Sequence, residues 1–190
     1  GTEVARHIVR HSAENFAHVS LELGGKSPMI IFEDCNIDGA VNGIIAGNFG
    51  ASGQSCVAGS RVFIQRSIHS KVVELIKQRA KKIIVGNPLD SKTQVGPLAT
   101  IHQVKRASKV INDSVKQGAN LVFGGKPPSQ LKEGWYFEPT LLDCTSQEFD
   151  CVKTERCAPV SSVIAVDTEE EAISMANDSD YGLGSGVFTE

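Results

Sequence analysis

In the stretch Gly50-Ala51-Ser52-Gly53-Gln54-Ser55-Cys56, two glycines and two serines lead up to one cysteine. Small residues let a backbone bend sharply and come close to a bound molecule. A cysteine presented on such a turn, with backbone N–H groups nearby, has the parts of a thiolate nucleophile and an oxyanion site. A buried loop thiol acting as a small hydrophobe is the plain alternative. Upstream, Leu21-Glu22-Leu23-Gly24-Gly25-Lys26-Ser27-Pro28 sets one carboxylate between two leucines, just before a Gly-Gly pair. Apolar flanks predict desolvation, which raises a carboxyl pKa toward the range of a general base working near neutrality. A glutamate on the exposed face of an edge strand is the alternative there.

Together the two stretches resemble the NAD(P)-dependent aldehyde dehydrogenase family. Leu21 to Pro28 reproduces that family's L-E-L-G-G-K-S-P without a mismatch, and Gly53 to Cys56 reproduces its G-Q-x-C. The 34 positions from Glu22 to Cys56 are similar to the family's spacing. The resemblance implies oxidation of an aldehyde to a carboxylic acid, with NAD or NADP as cofactor. It implies that Cys56 attacks the carbonyl, that its backbone N–H meets the oxyanion, and that Glu22 activates water to release the acid from a thioester. Glu155, in Thr154-Glu155-Arg156-Cys157-Ala158-Pro159-Val160, falls where the family has E-E-I-F-G-P-V. The resemblance makes it the carboxylate that accepts hydrogen bonds from the nicotinamide ribose hydroxyls, a task two carboxylate oxygens suit; a surface glutamate is the alternative. Leu23 and Gly1 are assigned to the cofactor site on the same ground, Gly1 at a helix start that could favour a pyrophosphate. Cys157 stands where the family has an aromatic residue beside the nicotinamide, and Ala158 where it has glycine. A cysteine cannot cover the surface an aromatic ring covers.

The elements needed to hold these residues are legible from periodicity. Helices are predicted over Thr2–Ala13 with Thr2 as cap, over Gly39–Phe49 started by Asp34 and Asp38, over Ser67–Val85 and over Ile101–Gln117. A further helix after Thr168 ends at Met175 or Asn177. Strands are predicted over His18–Leu23, Ser27–Phe32, Ser60–Gln65, Leu121–Phe123 and Val160–Val166. Alternating strands and helices predict an α/β fold: a mostly parallel sheet with helices on both faces, like the family's catalytic domain. The resemblance divides the chain into 1–21, a remnant of the cofactor-binding domain, and 22–190, a catalytic domain incomplete at its C-terminal end. It therefore implies that this polypeptide by itself has no useful turnover. Phe49 is the one aromatic near the motif that could touch substrate.

The chain has 190 residues, 41% hydrophobic and 22% charged, with a net charge of −3. That balance suits a globular domain and offers no electrostatic footing for nucleic acid. No apolar run is long enough for a membrane span. The five cysteines include no C-x-x-C and no Cys/His cluster with metal-ligand spacing. Free thiols in a reducing compartment are expected, the cytoplasm or an organelle matrix. The expected partner is a small-molecule aldehyde, and the resemblance implies a homodimer or homotetramer for the parent protein. Two other classes stay open: a cofactor-independent thiol esterase using Cys56 and Glu22, and a noncatalytic structural relative.

Overall fold

The computed structural model describes residues 1–190. Its centre is a six-stranded sheet in the order β3-β4-β5-β2-β1-β6. The strands are β1 (Pro28–Ile31), β2 (Arg61–Gln65), β3 (Asn120–Phe123), β4 (Thr140–Asp143), β5 (Val160–Val166) and β6 (Gly186–Phe188). All neighbours run parallel except β3, which pairs antiparallel with β4. The helices are α1 (Thr2–Ser12), α2 (Ile37–Phe49), α3 (Arg66–Ala80), α4 (Ile101–Gln117), the single turn α5 (Asp150–Lys153) and α6 (Glu169–Asn177).

Side chains alternate across the pleat and so feed two cores, one on each face. Ile30, Phe63, Leu142 and Ile164 pack with Val104, Ala107 and Ile111 of α4, Cys151 and Val152 of α5, and Ala172 of α6. Their sequence neighbours Ile31, Val62, Ile64, Leu141 and Val163 point the other way, onto Ala40, Val41 and Ile44 of α2 and Val72 and Ile76 of α3. Strands buried on both faces carry apolar residues pointing both ways, as Val62-Phe63-Ile64 of β2 and Val163-Ile164 of β5 do. The expected sheet covered by helices on both faces is the observed one. No helix is long and apolar enough to cross a membrane.

Several element boundaries differ from expectation, each for a local reason. Asn36, rather than Asp34 or Asp38, caps α2, its side chain accepting from the Gly39 N–H at 3.0 Å. Gly1 is the N-cap of α1, and Thr2 is already helical. The α3 helix stops at Ala80 instead of running to Val85, because Val85 forms a parallel bridge with Val95 and the Gln94 side chain takes the Ile84 N–H. His18–Leu23 is not a strand: residues 17–23 carry no regular structure and join no ladder of the sheet. On α1 only Ala5 is buried, and Val4, Ile8 and Val9 are exposed. By contrast, the Thr100–Gln103 capping box, the left-handed Gly118 stop of α4 and the Thr168 cap of α6 all stand as the residue types dictate.

Candidate active site

Strand register decides where the motifs go. Pro28 is level with Arg61, Arg61 with Ser162, and Met29 with Gly186. The segments that precede β1, β2, β5 and β6 therefore all emerge at one edge of the sheet. Glu22, Cys56 and Glu155 lie in three of those segments. This is the N-terminal edge of the parallel strands, opposite to the carboxyl-end crevice that doubly wound sheets generally use.

The approach is close where glycine permits it. A Cβ on Gly25 would stand 2.9 Å from the Cys56 carbonyl oxygen and 2.9 Å from Leu183 Cβ. A Cβ on Gly24 would overlap the Glu155 carboxylate outright. The Gly-Gly pair after Glu22 is thus the seam along which the cysteine loop and the Glu155 loop meet. A Cβ on Gly53 would strike the backbone between Ala158 and Pro159, so the cysteine loop also rests on the segment after Glu155.

Cys56 sits with Val57 at the tip of a turn closed by the Ala58 N–H donating to the Ser55 carbonyl at 3.2 Å. Its thiol is exposed; the alternative of a buried loop cysteine does not describe it. Ahead of it the backbone makes a left-handed turn through Ala51, Ser52 and Gly53, with φ of 49°, 56° and 68°. Two of these are not glycine, and each carries a cost of roughly 1–2 kcal/mol. Hydrogen bonds hold the turn against that cost. The Ser52 hydroxyl donates to the Gly96 carbonyl at 3.0 Å, and the Gln54 side-chain oxygen accepts from the Ala99 N–H at 3.0 Å. Gln54 of the G-Q-x-C motif is a strut to the neighbouring 95–99 loop. Phe49, proposed from sequence as a substrate contact, is buried at 1% exposure in a small core with Ala80 and Val95, edge-on to Phe123. It supports the loop from beneath and cannot reach a substrate.

Glu22 is exposed, as is Leu21, so the desolvation expected from its leucine flanks is absent. Leu23 is half-buried, and Lys26 and Ser27 are buried. Burial lowers the Lys26 amine to about 8, with Arg156 and Arg61 pushing the same way and the Cys151 and Cys144 thiols opposing. Arg61 fixes the backbone here: its Nε donates to the Lys26 carbonyl at 2.7 Å while its other nitrogens reach the Met175 and Ala176 carbonyls at the end of α6.

Glu155 borders a cavity of about 150 Å³ with Gln103, Arg106, Arg156, Cys157 and Ala158. Gln103, Arg106 and Arg156 carry no motif, and sequence reading missed them. Gln103 and Arg106 are three residues apart on α4 and so share a face, a signal visible only once α4 is known to border this edge. The Cys157 thiol is pushed up by burial of its packed side, then by Glu155 and Cys56, while Arg106 and the Gly1 amino terminus pull it down. Ala158 is buried at 4%, its methyl in the core beside Val160, which explains why this position accepts a side chain. A carboxylate beside an amide and two guanidinium groups suits a diol attached to an anionic group, so these residues fit the ribose and phosphate parts of a nicotinamide dinucleotide.

An exposed thiol at a turn tip, a glutamate segment whose Gly25 lies against the cysteine loop, and a polar cavity of about 150 Å³ beside Glu155 gather at one end of the parallel strands. The sequence model of the aldehyde dehydrogenase family matches residues 1–190, and the chain belongs to that family. It is 48% identical over 190 residues to (Z)-2-((N-methylformamido)methylene)-5-hydroxybutyrolactone dehydrogenase of Acinetobacter baylyi, covering all of this chain and 38% of that protein. It is 40% identical over 185 residues to betaine aldehyde dehydrogenase of Rhizobium leguminosarum, covering 97% of this chain and 38% of the relative. The crystal structure of betaine aldehyde dehydrogenase from Staphylococcus aureus in complex with NAD+ superposes with a TM-score of 0.96 at 38% identity, over 100% of this chain and 38% of that one. The chain thus spans a little over a third of the length of the relatives it matches.

Proposed function

We propose that this chain supplies the catalytic thiol, the general base and part of the cofactor site for NAD(P)-dependent oxidation of an aldehyde to a carboxylic acid. The observation that carries the reading is the Gly24-Gly25 seam, which seats the Glu22 segment against both Cys56 and Glu155. The Cys56 thiolate attacks the aldehyde carbonyl to form a thiohemiacetal, and its own backbone N–H faces the oxyanion. NAD(P)+, when bound, supplies the hydride acceptor. Glu155 holds the ribose hydroxyls, with Arg106 and Arg156 beside it, and Gly1 and Leu23 lie along the same site. Glu22 takes a proton from water, which attacks the thioester on Cys56 and releases the acid. Sulfur leaves readily from a thioester, and water needs a base to attack one, which accounts for the pairing of these two groups.

On this reading residues 1–21 belong with the family's cofactor-binding part and 22–190 with its catalytic part. The support is that α1 contributes one buried residue while the core begins at β1. The reading also carries a homodimer or homotetramer for the parent, in the cytoplasm or an organelle matrix; the five free thiols support the compartment. The test is NAD(P)H formation from an aldehyde. The protein that carries this chain is expected to turn over, and its Cys56→Ala variant is not. Ester hydrolysis by the parent that is indifferent to added NAD(P)+, with no NAD(P)H formed, would replace this reading with a thiol esterase.

A further inference from the structure

On the α4 side of the sheet, behind the site, two further cysteines meet. Cys144 directly follows β4 and Cys151 lies in α5, and their sulfur atoms are 3.5 Å apart. Both are buried, at 3% and 2% exposure, and both are free thiols. We propose that Cys144 and Cys151 form an oxidisable dithiol that a small hydroperoxide converts to a reversible disulfide. Neither residue belongs to a motif, and the reaction at Cys56 uses neither.

The geometry supports the chemistry at each step. A disulfide needs its two sulfurs at about 2.05 Å, so the pair must close by roughly 1.5 Å from its 3.5 Å separation. The Cys151 N–H donates to the Ser114 hydroxyl at 2.9 Å, which fixes the α5 end of the pair on α4. The two sulfurs share a hydrogen bond that either can donate, and Cys151 is the more readily ionised of the two, favoured by Cys144, by Ser114 and by the charge of buried Lys26 against the cost of burial. Cys144 is correspondingly pushed up, first by its hydrogen bond to Cys151 and then by burial. A thiolate is the attacking species in thiol oxidation. The Cys151 thiolate attacks one peroxide oxygen and breaks the O–O bond, giving a sulfenic acid and hydroxide, which takes up a proton. Cys144 then attacks the sulfenic sulfur, losing its proton, and the S–O bond breaks to release a second water. Two thiols and one hydrogen peroxide become one disulfide and two waters. Burial selects a small neutral oxidant over a bulky one.

Closing the bond would draw α5 toward the end of β4. The chain leaves α5 at Lys153 and reaches Glu155 two residues later, so the segment bordering the cavity is tethered to the dithiol.

The experiment uses the whole chain, folded by circular dichroism, with exposed Cys56 and Cys157 first blocked by N-ethylmaleimide. After hydrogen peroxide, the tryptic peptide carrying both Cys144 and Cys151 is expected to be lighter by two hydrogens, with dithiothreitol restoring it. Amide exchange across residues 150–156 is expected to slow in the oxidised form. In Cys144→Ala, Cys151 should stop at a sulfenic acid that dimedone traps. Two free thiols in that peptide after peroxide, or separate over-oxidation of each, would overturn the proposal. The wild-type peptide mass decides the matter even if the variant does not fold.

Discussion

Residues 22–27 and 50–58 both run up to central parallel strands, and each carries a reactive side chain, yet they are held in opposite ways. The cysteine loop is coiled into a left-handed turn and tied by its own hydrogen bonds from Ser52 and Gln54 to the 95–99 loop. The glutamate segment has no regular structure and is anchored from Gly24 onward, where the glycine pair meets Glu155 and Cys56, Lys26 and Ser27 are buried, and Arg61 grips the Lys26 carbonyl. The cysteine turn is thus fixed by backbone groups 44 and 45 positions away, whereas the glutamate segment is fixed by what its two glycines and its buried stem touch. The difference teaches that neither motif supports itself: one is tied by side-chain hydrogen bonds, the other by close backbone approach.

Breaking the nucleophile itself should have the largest effect. Cys56→Ala in the full-length parent is expected to abolish the covalent acyl-enzyme seen by intact-protein mass spectrometry, whereas Cys151→Ala retains it. Next is the turn that precedes it. Gly53→Ala places a Cβ at positive φ and against the Ala158–Pro159 backbone, neither of which can yield cheaply. A loss of about 3 kcal/mol or more in urea unfolding is expected.

The stem of the other segment predicts a pH dependence. Lys26 titrates at about 8 in the folded chain against 10.5 for the free side chain. The unfolded chain binds the extra proton between those values, so stability rises with pH across that window. The burial cost, on the order of 3 kcal/mol, is fully present below pH 8 and is relieved toward pH 10.5. Lys26→Met should therefore be more stable than the parent sequence near pH 7, with the gap closing as pH rises; a gap independent of pH would refute the buried ammonium. Gly24→Ala sharpens the contrast from the glycine seam. Its Cβ displaces only a flexible carboxylate, so thermal stability should stay within about 1 kcal/mol. Dinucleotide affinity of the full-length parent, measured by calorimetry, should fall roughly tenfold, about 1.4 kcal/mol. Smallest is Gln54→Ala, which leaves the Ala99 N–H without its acceptor and should cost about 1 kcal/mol in unfolding.

Much of the fold was legible because its signals are local. Gly118 and Thr168 act within one turn of helix, and Val62-Phe63-Ile64 and Val163-Ile164-Ala165-Val166 are short apolar runs that sheet burial explains. His18–Leu23 misled because alternation is not enough: a strand needs a partner, and none lies beside it. Val85 left its predicted helix for the same kind of reason, since Val95, ten residues on, offered it a bridge. Within the site, Cys56, Glu22 and Glu155 could be singled out from their motifs. Gln103, Arg106 and Arg156 could not, because their common cavity exists only where α4 crosses the end of β5. Phe49 was misassigned because proximity in sequence to Cys56 says nothing about which face of α2 it occupies.

The order of residues by itself determined the chemical inventory: a thiol on a small-residue loop, a carboxylate before a Gly-Gly pair, a second carboxylate before β5, and the strands and helices between them. Those follow from side-chain chemistry and from periodicities a few residues long. Tertiary structure alone decided that the three lead-in segments share one edge of the sheet, that Glu22 stands in solvent while Lys26 is buried, and that Cys144 touches Cys151. Each of these depends on strand register and on the packing of helices from distant parts of the chain, which no short window of sequence encodes.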